Sequence, residues 1–301
     1  MGSLVKDLRV LQRGFRWGRR PLAPRNVALP DLAPRDFPTA WARTPAARAA
    51  RAAIQSGVMK PLIGSQTRPS VYGAHLLKTL TPPVIFYANH SSHLDAPTLL
   101  LSLPPWWRER TAVGAAADYF FDVWWRAAAT ALVINAFPVE RAGSRRSTRA
   151  AKQMIEGGWN VLVFPEGTRS KDGWLGEFRM GAARLCIENR VPAVPIALRG
   201  TYQSMPRGRG WPAPGRKPVR VRFGEPVSPA EGELAPDFAT RMRGALELLL
   251  EEDRTTWYEA MKRDARGERA SAGGPQAARW RRIWEAGEPV ADPLARRAWP
   301  R

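Results

Sequence analysis

Val84-Ile85-Phe86-Tyr87-Ala88-Asn89-His90-Ser91-Ser92-His93-Leu94-Asp95-Ala96-Pro97-Thr98-Leu99-Leu100-Leu101 is the stretch on which the fold turns. Behind Pro82 and Pro83, Val84 to Ala88 form a β-branched and aromatic run of strand length. Asn89 opens a polar cluster directly after it. Asp95 to Leu101 then reads as a helix start, with Pro97 tolerated in the first turn. The order strand, loop, helix leaves the polar groups at the strand's carboxyl end. The chain repeats this design further on, where Asn160-Val161-Leu162-Val163-Phe164, a buried type of strand, runs into Pro165-Glu166-Gly167-Thr168-Arg169-Ser170.

Ile134 to Val139 reads as another short strand, ending at Glu140-Arg141. Ser144 suits the N-cap of a helix through Ile155, which Gly157 and Gly158 stop. A helix over Phe178 to Asn189 and strands over Val191 to Leu198 and Val219 to Phe223 follow. Phe238, Met242, Ala245, Leu246 and Leu249 make a helical apolar stripe. Strands alternating with helices predict one α/β domain over residues 62–253, and ligands in such sheets gather at strand carboxyl ends. Both polar stretches fall there. Between them, the apolar region from Ala115 to Ala136 is broken by Asp118, Asp122 and Arg126, and its Phe120, Phe121, Trp124 and Trp125 suit either a core or an apolar channel.

The flanks differ in composition. Leu4, Leu8, Leu11 and Phe15 share one helical face, with Arg9, Arg13, Arg16 and Arg20 opposite, and Trp17 adds an interfacial aromatic. Such a helix either lies on a membrane surface or packs its leucines on the main domain. A proline-rich connection over 21–45 and a second amphipathic helix over 46–62 complete residues 1–61, read as a segment for membrane-surface contact. Residues 254–301 read as a basic, partly disordered tail with one helix near Trp280 to Ala286.

The formal charge of +20 calls for an anionic partner, whether nucleic acid, anionic lipid or a phosphorylated metabolite, or else reflects in part a codon bias toward arginine. One cysteine, Cys186, excludes an intrachain disulfide and a four-thiolate zinc site, and three histidines leave little for any metal. Cys186 itself reads as a buried helix position. Lys6, Arg9 and Arg13 interrupt any signal-peptide apolar core, and no window reaches the 18 or so apolar residues of a spanning helix. The expected location is the cytoplasm, peripheral on the cytosolic face of the membrane.

The chemistry is concentrated in the two stretches. Neutral imidazole at His90 can take a proton from a hydroxyl near pH 7 if its other ring nitrogen is held, and Asp95 can curl back across the loop to hold it. Asp95 also suits a helix N-cap, and His93 reads as a surface or packed histidine, since one base suffices. Gly167 lets backbone approach a ligand closely, Arg169 can grip a phosphate with a fork of N–H donors, and Arg141 can supply a second cation.

Taken together, these residues resemble the glycerophospholipid acyltransferase superfamily, whose best-known members are the lysophosphatidic acid (1-acylglycerol-3-phosphate) acyltransferases. His90 to Asp95 is similar to its His-four-residues-Asp motif, and Phe137-Pro138-Val139-Glu140-Arg141 to its second, though a leading glycine often seen there is Asn135 or Ala136 here. Phe164-Pro165-Glu166-Gly167-Thr168-Arg169 matches the third letter for letter, and Val194-Pro195-Ile196 resembles the fourth. The likeness covers residues 62–230 and neither end.

The resemblance implies a single α/β acyltransferase domain with a central mixed, mostly parallel sheet flanked by helices; the N-terminal amphipathic helices read from the apolar spacing precede it. It implies catalysis by His90 and Asp95, phosphate binding by Arg141, Glu166, Gly167, Thr168 and Arg169, and an acyl pocket near Val194, Pro195 and Ile196. Glu166 would accept from acceptor hydroxyls or order the arginines. The expected partners are a lysophospholipid acceptor, 1-acylglycerol-3-phosphate first, an acyl-CoA or acyl carrier protein donor and an anionic membrane surface, with no metal or other cofactor. Glycerol 3-phosphate, another lysophospholipid or an amino-lipid as acceptor, or water in a hydrolase, are the alternatives. A nucleic-acid-binding module fits the charge but gives no reason for His90 and Asp95 beside the Glu166 stretch, so no nucleic acid is expected.

Overall fold

A computed structural model describes residues 37–140, 145–288 and 290, with side chains except at Arg145 and Arg146. The N-terminal helix expected over residues 4–20, most of the proline-rich connection, the Ser144 cap and Arg141 lie outside the described residues.

In chain order the elements are α1 (Pro45–Ile54), α2 (Lys60–Gln66), β1 (Thr67–Tyr72), β2 (Ile85–Ala88), α3 (Asp95–Ser102), β3 (Thr111–Ala116), α4 (Trp124–Ile134), β4 (Ala136–Val139), α5 (Arg145–Glu156), β5 (Asn160–Val163), α6 (Gly181–Asn189), β6 (Ala193–Arg199), β7 (Lys217–Phe223), α7 (Ala235–Arg254), α8 (Trp257–Ala265) and α9 (Arg279–Ala286). The seven strands form one sheet in the order β1-β7-β6-β2-β5-β3-β4. Only the β6–β7 pair is antiparallel, so the mixed, mostly parallel sheet is as expected. The carboxyl ends of β2, β5, β3 and β4 therefore share one edge.

Alternation along the strands explains the two cores. Ile85, Tyr87, Val161 and Ala193 point to one face, where Ile155, Leu185, Phe238, Met242 and Leu246 from α5, α6 and α7 cover them. Phe86, Ala88, Leu162, Val194 and Ile196 point to the other, against Leu99, Leu100, Leu103 and Trp107. Burial on both faces is what the continuous apolar runs require. Tyr87 donates its hydroxyl to the Met242 carbonyl at 2.8 Å, which satisfies a polar atom inside the first core. Cys186 is buried as expected, its thiol pushed up to about 12 by burial.

Several boundaries move. The helix placed at Phe178 starts at Gly181, and Ile134 closes α4 instead of opening β4, with Asn135 reversing the chain in a left-handed conformation (φ 52°). β1 and β3 have no counterpart in the sequence reading. The region after Asp253, read as a tail with one helix, carries two, α8 and α9.

Residues 45–66 run as one nearly continuous helix through a π turn at Gln55–Met59, and so cross residue 62, where sequence places a boundary. Arg51 faces inward. Its guanidinium donates to the carbonyls of Leu132 (2.7 Å), Ala131 (3.4 Å) and Ala42, and Gln55 adds a bond to Val133 O at 2.8 Å. Helix α4 ends with unpaired carbonyls, and these side chains satisfy them. The cost is visible in Arg51, whose pKa is lowered to about 10 by burial first and then by Arg43 and Arg48, against the pull of Glu109.

Arg51→Met is expected to lower the unfolding free energy by about 2 kcal/mol, because it strands buried carbonyls that now bond a charged donor. Arg48→Met, which removes only a half-exposed ion pair with Glu109, should change it by less than about 0.5 kcal/mol. Urea unfolding of both variants decides this, and equal effects would contradict the capping role.

Candidate active site

The carboxyl ends of β2 and β5 bring the two polar stretches together. His90 follows β2, and its Nδ1 lies 2.8 Å from Asp95 Oδ2 at the start of α3. The same oxygen accepts the backbone N–H groups of Ser91 (2.6 Å) and Ser92 (2.8 Å), so the loop curls around the carboxylate. Asp95 thus meets the imidazole, one of its two readings, but it is not the helix N-cap of the other. It is the first residue of α3, Leu94 holds the cap position without a side-chain cap bond, and the Asp95 carboxylate takes the amides of the loop before the helix. A carboxylate can only accept, so Nδ1 carries the proton and Nε2 is the nitrogen left to the cleft that His90 lines. The ring stacks on Phe164 with centroids 4.0 Å apart.

The second stretch grips the first by its backbone. His90 N–H donates to Glu166 Oε1 at 2.7 Å, and His90 C=O accepts from Ser170 N–H at 2.7 Å. Glu166 Oε2 accepts from Gly176 N–H at 2.8 Å. The Glu166 carboxylate is buried and both oxygens are occupied by backbone donors. This differs from the expected contact with acceptor hydroxyls or arginines, because the side chain turns under the loop and away from the cleft. Burial raises its pKa to about 7, opposed by the two N–H donors; the Asp95 charge raises it further and Arg243 lowers it.

Asn89 anchors the same loop on β6: its Oδ1 accepts from Leu198 N–H and its Nδ2 donates to Leu198 O, both at 2.8 Å, extending the strand pairing by a side chain. Ser92 Oγ donates to Met205 O at 2.8 Å. Gly167 has φ +70°, and a Cβ there would stand 2.7 Å from Arg179 Nε, so the turn needs glycine both for its conformation and for the arginine beside it. Thr168 is exposed on the cleft wall, and Arg169 lines it.

The cleft beside His90 is about 1910 Å³, well above the roughly 300–1,000 Å³ of ordinary small-molecule pockets. Val113, Ala115, Ile134, Phe137, Val163 and Phe178 give it apolar walls. Of the aromatic residues left open between core and channel, Phe120 and Trp125 line the cleft, Phe121 is buried and Trp124 is exposed. Arg126, Arg179, Arg184, Arg207 and Arg209 join Arg169 on its surface. Sequence reasoning missed these; the Arg207-Gly208-Arg209-Gly210 run was the available signal, basic residues set among glycines that keep the backbone open.

His93 is packed, as expected, stacked on Tyr119 at 5.5 Å and edge-on to Phe120 at 6.3 Å. Its pKa is lowered to about 4 by burial first, then by the charges of Arg169 and His90, with Asp95 opposing. Val194, Pro195 and Ile196 do not line the cleft. They sit buried in β6 between β2 and β7, Val194 and Ile196 within the second core, so the apolar walls are supplied by other residues. Arg141 lies outside the described residues; Glu140, just before it, reaches the cleft.

Residues 68–199 match the family model described as Acyltransferase. The 1-acyl-sn-glycerol-3-phosphate acyltransferase BAT2, chloroplastic, of Brassica napus is 33% identical over 144 residues, 47% of this chain and 40% of that protein. The 1-acyl-sn-glycerol-3-phosphate acyltransferase alpha of Mus musculus is 32% identical over 174 residues, 56% of this chain and 58% of that one. The chain thus spans about half the length of these curated relatives. The crystal structure of the 1-acyl-sn-glycerophosphate (LPA) acyltransferase PlsC from Thermotoga maritima shares the fold, with a TM-score of 0.51 and 24% identity over 67% of this chain and 82% of that one. The His90–Asp95 and Glu166–Arg169 stretches, gathered at one sheet edge, both fall within the residues that match the Acyltransferase model, so this part of the chain is similar to the acyltransferase domain of these relatives.

Proposed function

We propose that the cleft transfers a fatty acyl group from an acyl-CoA or acyl carrier protein thioester to the hydroxyl of a lysophospholipid, 1-acylglycerol-3-phosphate being the acceptor of choice. The observation that carries this reading is the His90 Nδ1 to Asp95 Oδ2 bond, which leaves Nε2 toward a large cleft with apolar walls and an arginine-rich surface. An acyl chain needs the first kind of lining and a phosphate the second.

Nε2 removes the proton from the acceptor hydroxyl as its oxygen attacks the thioester carbonyl. The imidazolium so formed is stabilised by Asp95. The tetrahedral oxyanion collapses, the carbon–sulfur bond breaks, and the thiolate takes the proton back. Ester and thiol leave, and no acyl group is ever carried by the protein. Arg169 and Thr168, with Arg141 beyond the described residues, are the proposed holders of the phosphate, Gly167 giving the turn that presents them. Glu166 positions His90 through its backbone. An anionic membrane surface, reached from the cytosolic side, is the proposed place of reaction. No helix among the described residues is long and apolar enough to cross a membrane, which is compatible with peripheral attachment.

His90→Ala is expected to cut labelled-acyl transfer to 1-acylglycerol-3-phosphate by about 10²–10⁴-fold with unchanged melting behaviour, the range for loss of a general base; transfer at the wild-type rate would refute the assignment. Glu166 gives a second expectation. Its carboxyl titrates near 4.5 when unfolded and near 7 when folded, so the folded state holds the extra proton between those values. Its contribution is full below pH 4.5 and lost as pH rises through about 7. Wild type should therefore lose stability relative to Glu166→Gln between pH 5 and 8 in paired thermal melts. A difference independent of pH would contradict the burial of an ionisable group there.

A further inference from the structure

Helix α9 is built inside out. In a helix packed on a core, the apolar stripe faces inward. Here the inward positions are Arg282 and Ala286. Arg282 Nε pairs with Asp172 Oδ2 at 2.7 Å, while its other nitrogens donate to Gly273 O (2.8 Å) and Pro275 O (2.9 Å). Its own carbonyl accepts from Trp174 Nε1 at 2.9 Å. Ala286 lies so close to Gly173 that a Cβ on the glycine would stand 2.7 Å from the alanine Cβ. The opposite face holds Trp280, Ile283 and Trp284, at spacings of three and four that place them on one side. Trp280 is 72% exposed, Trp284 63% and Ile283 37%, and no residue of the helix is buried.

This face is fixed in place. Besides Arg282, Gln203 Nε2 donates to Ala286 O at 2.9 Å and Glu288 O at 2.6 Å, and Leu175 N–H donates to Ala272 O at 3.0 Å. Both anchoring segments lead directly to the cleft: Asp172 comes three residues after Arg169, and Gln203 four before Arg207. The helix sequence Arg279-Trp280-Arg281-Arg282-Ile283-Trp284-Glu285-Ala286 has three cations and one anion. Arg282 is held by Asp172, and Arg281 pairs with Glu285 at 2.9 Å along the exposed surface, a pair that lipid phosphate can displace. Tryptophans flanked by arginines suit the boundary between headgroups and acyl chains, where the ring is half in each medium and the charge meets anionic lipid.

We propose that α9 docks on an anionic phospholipid bilayer, with Trp280, Ile283 and Trp284 inserted at the headgroup boundary and Arg279 and Arg281 against lipid phosphates. It holds the segments that carry Arg169 and Arg207 at the surface from which a lipid acceptor enters. The assignment of the occupant rests on the acyl-transfer reading, but the docking itself can be measured without turnover.

The full chain is floated, without substrate, with vesicles of phosphatidylcholine alone or mixed with phosphatidylglycerol. Wild type should bind the mixed vesicles more tightly, and the double variant Trp280→Ala/Trp284→Ala should bind them about tenfold or more weakly. Both side chains are exposed, so its melting temperature should stay unchanged, as should transfer to a short-chain acceptor dispersed as monomers. Trp284→Glu should weaken binding in the same sense. Undiminished flotation of both variants would overturn the proposal. So would their dissociating a wild-type oligomer, a face covered by another part of the chain and revealed by lower melting, or loss of salt-sensitive oligonucleotide binding in place of vesicle binding. Vesicle binding that depends on α9 in a protein without transferase activity would leave the docking standing and remove the acyl-transfer reading alone.

Discussion

The hydrogen bond between His90 Nδ1 and Asp95 Oδ2 is the constraint around which the site is arranged. An imidazole has two nitrogens and one proton to place when neutral, and the one bonded to a carboxylate must be the donor. That bond sets the direction of the basic nitrogen as well as its identity. It works only if the histidine backbone is fixed, since a side chain pinned at one ring atom still turns with its loop. Fixation comes from the other stretch: Glu166 takes the His90 N–H and Ser170 donates to its C=O. A misplacement of about 1 Å in a reacting group can cost 10²-fold in rate.

The supporting layers follow from this. Ser91 and Ser92 donate their amides to the Asp95 oxygen that holds the imidazole, Asn89 ties the loop to β6, and Phe164 limits ring motion by stacking. Glu166 is a buried acid whose proton is held by desolvation against two amides that favour its charge, so the joint between the loops is itself balanced near neutrality. Farther out, the C-terminal segment leans on the loop after Ser170 through Arg282 and Asp172. Asp172 keeps its carboxyl below the usual range: burial raises it, but the Arg282 bond and charge, the Trp174 amide and the Ser170 hydroxyl outweigh that.

Much of this was legible in the chain. β2 and β5 announced themselves as β-branched runs, and the His90 to Asp95 spacing is what a short loop into a helix needs for the two side chains to meet. The parts that were hidden have physical reasons. β1 contains Pro69 and is exposed along most of its length, and β3, Thr-Ala-Val-Gly-Ala-Ala, is too small and too mixed to read as a strand; neighbours decide both. Val194 to Ile196 read as apolar, but apolarity cannot tell a pocket wall from the middle of a sheet. Glu166 looked like a ligand-binding acid because sequence shows the residue type and not the two backbone amides that meet it. The arginines of the cleft come from separate segments, and only the fold collects them.

In the resting site His90 carries its proton on Nδ1, against Asp95, and leaves Nε2 bare. The chain has only three histidines, His75, His90 and His93, so nitrogen NMR of protein labelled at histidine, assigned with single substitutions, reads the tautomer directly. The His90–Asp95 geometry predicts a protonated, strongly hydrogen-bonded Nδ1 and an unprotonated Nε2 for His90 at neutral pH. A proton on Nε2 with Nδ1 bare would contradict it.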